Sequence, residues 1–78
     1  MHRIPERDIR SMILFHRMYN KNGGQPLRLA DMSSTLSLSK GAISKLLSKY
    51  SGIGLVQKTP EGFVPGINMD KYLDRWMS

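Results

Sequence analysis

The chain contains no cysteine, only two histidines and a single tryptophan. Without thiols there is no disulfide to staple the fold and no thiolate to hold a metal or attack a substrate. His2 and His16 stand far apart and have no Ser/Asp partners in an evident arrangement, so a zinc site is not expected and no catalytic residue is named. There is no glycine-rich phosphate loop, and no cofactor is expected. No apolar run approaches the roughly 18 residues of a membrane span. The opening MHRIPERDIR lacks the apolar core of a secretory signal, so the expected setting is reducing and cytoplasmic, without a membrane partner. One further absence is local: no acidic residue occurs between Asp31 and Glu61.

What is present is basic. Twelve Lys and Arg against six Asp and Glu leave a formal charge of +6. That balance favours an anionic partner, with nucleic acid ahead of acidic protein or membrane. At 78 residues the chain is read as a single domain over 1–78. A core this small removes only about 60% of the unfolded chain's surface from water.

A first helix is predicted over 5–22. Pro5 suits its first position, Glu6 and Asp8 the positive end of its dipole, and Asn22-Gly23-Gly24 its stop. Ile9, Met12, Ile13, His16 and Tyr19 share the face expected to meet the core, with Phe15 at its edge. Arg7, Arg10, Arg17 and Lys21 line the other side. Leu14 and Met18 also fall there, four apart, where the domain's own core does not easily cover them. They are either scattered surface apolar residues or a contact with the C-terminal helix or a second subunit. After a short extended piece at 26–28, a second helix is predicted over 29–36 with Leu29, Met32 and Leu36 inward.

Ser37-Leu38 then forms a turn, and Ser39 is suited to cap the next helix through its hydroxyl. That helix spans 40–51. Ile43, Leu46, Leu47 and Tyr50 follow the i, i+3, i+4, i+7 rule and form its packed face. Opposite them stand Gly41, Ser44, Lys45 and Ser48, flanked by Lys40, Ala42 and Lys49. An ordinary solvated face mixes Glu with Lys for i, i+4 support, whereas this one has no acid. Gly41 costs helix stability, up to about 1 kcal/mol relative to Ala, and close approach of another surface would explain it. Small side chains and positive charge on a helix backed by a rigid neighbour suit the major groove of DNA.

The remainder reads as a wing over 55–65, two short strands around the turn Thr59-Pro60-Glu61-Gly62, and a last helix over 68–77. Met69, Tyr72, Leu73, Trp76 and Met77 make an apolar stripe on that helix. A large aromatic such as Trp76 is expected to dock, either on the first helix or on a second subunit. The fold class is therefore mainly α with a small β-hairpin: a three-helix core, a wing and an extra C-terminal helix.

Residues 27–58 resemble the winged helix-turn-helix of bacterial regulators of the MarR type, and more loosely the IclR type. The resemblance lies in Leu29-Ala30, Met32, Leu36, Leu38-Ser39-Lys40, Gly41-Ala42, Ile43-Ser44, Lys45, Leu46-Leu47, Tyr50 and Gly54-Leu55-Val56. It implies that the helix over 40–51 enters the major groove. The positions it matches to DNA contacts are Ser39, Lys40, Gly41, Ala42, Ser44 and Lys45, with Lys49 near phosphate. Three departures stand out. Gly41 and Ala42 occupy positions where hydroxyl residues are common. The wing turn carries Glu61 in place of the usual arginine. The long helices that form the dimer and ligand pocket of full-length MarR proteins are missing, so no small-molecule ligand is expected.

The function expected from these readings is sequence-specific binding of double-stranded DNA by a small transcriptional regulator associated with the nucleoid. Its DNA-contacting residues would be Ser39, Lys40, Gly41, Ala42, Ser44, Lys45, Ser48, Lys49 and Lys58. No Arg, Asn or Gln lies on the exposed face for a bidentate base contact. Specificity would therefore draw on two half-sites, DNA shape or a partner. A homodimer joined through Leu14, Met18, Tyr72, Leu73 and Trp76 would present two such helices to two half-sites. The rival reading is a winged-helix adaptor in a larger DNA-associated assembly, since fold does not fix function.

Overall fold

The computed structural model describes residues 4–77, so His2 lies outside the described residues. The chain runs α1 (Glu6–Lys21), α2 (Leu29–Leu36), α3 (Lys40–Ser51), β1 (Val56–Thr59), β2 (Gly62–Pro65) and α4 (Met69–Met77). This is the mainly helical arrangement with one antiparallel hairpin that the sequence predicts. The element boundaries fall within a residue or so of the predicted ones. Pro5 precedes α1 as its cap residue rather than opening the helix.

The helices meet around Met12, Phe15, Met32, Ile43 and Leu47, each with no exposed surface. Leu55, Val56 and Met69 close this core from the wing side. On α2 and α3 the inward residues are those that the spacing predicts. Met32, Ile43, Leu47 and Tyr50 are buried, and Leu29, Leu36 and Leu46 pack half-buried around them. The turn between these helices is held twice. The Leu38 amide donates to the Ser33 carbonyl at 3.2 Å, and the Ser33 hydroxyl donates to the Leu38 carbonyl at 2.7 Å. Ser37 takes the left-handed conformation there (φ 55°), which reverses the chain after α2.

On α1 the packing departs from expectation. The inward line is Asp8, Met12 and Phe15. Phe15 is wholly buried rather than at the edge, while Ile9, Ile13, His16 and Tyr19 are half-buried. The helix is thus rotated so that its largest apolar side chain, Phe15, fills the centre. The same rotation packs Met18, half-buried, against the core, so the domain covers it in part. Leu14 stays half-buried. Asp8, which the sequence assigns to the positive end of the helix dipole, stands in the first turn as expected and is also a buried acid.

The wing pairs Val56 with Pro65, Gln57 with Val64, Lys58 with Phe63 and Thr59 with Gly62. Leu27 adds one bridge to its outer edge, exchanging backbone hydrogen bonds with Phe63 at 2.8 and 2.9 Å. The extended piece before α2 is thereby tied to the wing. α4 contributes Met69 and Leu73 to the core. Tyr72 and Trp76 are half-buried against it, with ring centroids 5.6 Å apart. The docking expected for Trp76 is therefore made at least partly within the domain.

Candidate nucleic-acid interface

The face in question is set by how α3 begins and how it is backed. Ser39 caps the helix, its hydroxyl accepting from the Ala42 amide at 3.1 Å. This cap fixes the first turn, where no acid opposes the positive end of the helix dipole. Burial of Ile43, Leu47 and Tyr50 turns the opposite side outward. Ser39, Lys40, Gly41, Ala42, Lys45, Ser48 and Lys49 are all exposed, and Ser44 is half-buried. A β-carbon added at Gly41 would meet nothing within 4 Å. The domain itself therefore gives no steric reason for glycine there. Lys58 is exposed on β1.

The folded arrangement adds two residues to this surface. A cleft of about 490 Å³ lies between the first turns of α1, the α2–α3 turn and α3. Its walls include Arg7, Asp8, Leu38, Ala42, Lys45 and Lys49. Arg7 thus extends the basic surface beyond α3. Asp8 introduces an acid into a region that is free of acids in linear sequence.

Asp8 is held by two groups of α3. The Tyr50 hydroxyl donates a short hydrogen bond to its carboxylate. The Lys49 ammonium stands 3.8 Å from the same oxygen, Oδ2, and 5.5 Å from the centre of the Tyr50 ring. Burial, then the hydrogen bond and the negative charge of Asp8, push the Tyr50 hydroxyl above its usual pKa range. Tyr50 therefore stays protonated and remains the donor. Sequence reading missed this pair, although a signal was present. Asp8, Met12, Phe15 and Tyr19 recur at i, i+4, i+7 and i+11, which puts the acid in line with the apolar stripe.

The residues proposed for self-association are distributed unevenly. Leu73 is buried and Met18 packs on the domain's own core, whereas Leu14, Tyr72 and Trp76 keep part of their surface. Of the large apolar residues among those described, Ile67 and Met77 are left most exposed. Among the described residues no cluster of three His, Cys, Asp or Glu could hold a metal ion. No helix among them is long and apolar enough to cross a membrane.

The structure of CymR (YrzC), the global cysteine regulator of B. subtilis, matches this chain with a TM-score of 0.61 and 25% sequence identity. The fold is shared with a regulator. The match covers 85% of this chain and 53% of CymR, so the chain spans about half the length of that protein. No protein-family model and no curated protein matches the sequence. The likeness supports a winged helix-turn-helix and does not single out the MarR or IclR type that the sequence resembles.

Proposed function

We propose that this chain binds double-stranded DNA as a small transcriptional regulator, with α3 in the major groove. The observation that carries this reading is the outward face of α3. It is basic, free of acids within its own helix, and lined with small side chains. It sits on a fold shared with a protein described as a regulator. Lys40 and Lys45 would neutralise phosphates and release counterions. Ser39, Ser44 and Ser48 would donate to phosphates or base edges, and Gly41 and Ala42 would let the helix backbone come close. Lys58 and Arg7 would meet the flanking backbone. None of these residues forms a catalytic constellation, so the activity proposed is binding alone.

The test is a mobility-shift titration with mixed duplex fragments across a salt series, followed by selection of bound fragments from the source genome. The expected result is binding that weakens steeply with salt, and a shared motif among the selected fragments. Absence of any shift at about 50 mM salt, where phosphate contacts are strongest, would remove the DNA reading and favour the adaptor. A shift without a shared motif would reduce the function to sequence-independent binding.

Base readout from α3 alone is sparse, so we propose that two copies act together. Leu14, Tyr72 and Trp76 supply the apolar surface, and two α3 helices are presented about 34 Å apart, one turn of DNA. Sedimentation should show a dimer at high protein concentration, weakened by Trp76→Ala. A monomer at every concentration, with one copy bound per duplex, rules the dimer out.

A further inference from the structure

We infer that Asp8 is a restraint on the DNA-binding face: it holds Lys49 away from the duplex and so lowers the sequence-independent part of binding. This inference rests on the DNA reading above.

Three observations support it. Asp8 keeps only 9% of its surface exposed, so its charge is poorly screened by water. The Lys49 ammonium is 3.8 Å away, while the Lys49 side chain retains 62% exposure. A lysine so placed is free to leave for a phosphate if its acid is removed. Finally, Arg7, Lys45 and Lys49 share one cleft with Asp8, so three cations there face a single acid. The other ion pair of α1, Glu6 with Arg10, differs in kind: both side chains are about four-fifths exposed or more (85% and 79%) and water screens them.

A purely structural role would need only an acceptor for the Tyr50 hydroxyl, which a neutral amide also provides. The negative charge adds a helix-dipole interaction at the first turn of α1, and it also acts on Lys49. It has a use in a small protein of charge +6 whose α3 carries few groups able to read bases. Phosphate contacts strengthen binding to every sequence alike, so withdrawing one lysine from them leaves a larger share of the affinity to sequence-dependent contacts.

The experiment compares the whole chain with Asp8→Asn, Lys49→Ala and the double variant. The readout is fluorescence anisotropy on a short random-sequence duplex between about 50 and 200 mM salt. Asp8→Asn should bind several-fold tighter at the low-salt end, and its log affinity should fall more steeply with log salt by about one unit, the signature of one added phosphate contact. In the Lys49→Ala background the Asn substitution should change neither quantity. Equal affinity and slope for Asp8→Asn and the parent would overturn the inference, as would a gain that survives the loss of Lys49. If circular dichroism shows Asp8→Asn to be unfolded, the paired variant Asp8→Leu with Tyr50→Phe replaces both buried polar groups by apolar ones. That variant must then show the same gain, and its failure to do so counts against the inference. A parent that does not bind the duplex at all refutes the DNA reading instead, so the two failures are distinguishable.

Discussion

Gly66→Ala is expected to cost the domain about 3 kcal/mol or more of stability, well above the usual effect of a single methyl group. A β-carbon built at Gly66 would lie 2.2 Å from the Gly54 carbonyl oxygen and 2.6 Å from its carbon. Those atoms are backbone and cannot swing aside. They are also fixed in place: the Gly66 amide donates to the Leu55 carbonyl and the Asn68 amide to the Gly54 carbonyl, both at 2.8 Å. These bonds join the end of β2 and the start of α4 to the segment leaving α3. Relieving the clash means parting the two strands of chain, with Leu55 and Met69 of the core beside them. A domain of this size has a total stability of only about 4–12 kcal/mol, by the usual per-residue range. The melting temperature should therefore fall by more than about 10 °C, with an earlier midpoint in urea. Melting within a few degrees of the parent would show that the approach of Gly66 to Gly54 is not a tight constraint.

Lys45→Ala is expected to flatten the dependence of log DNA affinity on log salt by about one unit, and Lys49→Ala by clearly less. Both side chains are exposed, and by the phosphate-contact reading each would count equally. They differ in what they touch, since an acid already faces the Lys49 ammonium. Exposed substitutions of this kind usually change stability by no more than about 0.5 kcal/mol, so a loss of binding would reflect the interface rather than the fold. A salt-series titration of the two single variants against the parent checks this. If Lys45→Ala bound like the parent throughout, the outward side of α3 would not be the surface that meets the duplex.

The outward side of α3 was legible in the chain, because a helix with Ile43, Leu47 and Tyr50 inward has only one direction left for Gly41, Lys45 and Ser48. The Ser39 cap was legible for a similar reason: the hydroxyl and the amide it accepts from are three residues apart, within one turn. The wing could be read from its turn residues and short apolar runs. The approach of Gly66 to Gly54 could not, since nothing near either glycine in the sequence reveals that the other lies against it. The rotation of α1 was not legible either. Its apolar residues spread over more than half of the helix, so spacing alone could not decide whether Phe15 or Ile13 would face the centre.

By itself, then, the sequence determined the order of helices and strands, the packed side of α2 and α3, and the bare basic side of α3. All of these follow from interactions within a few residues of one another, where the helical and strand repeats leave little choice. Tertiary structure alone decided that Asp8 meets Tyr50 and Lys49 across 42 and 41 positions of chain, and that Arg7 joins the cleft beside α3. Such contacts depend on how one rigid helix is turned against another, and that angle is set by the shared filling of the core.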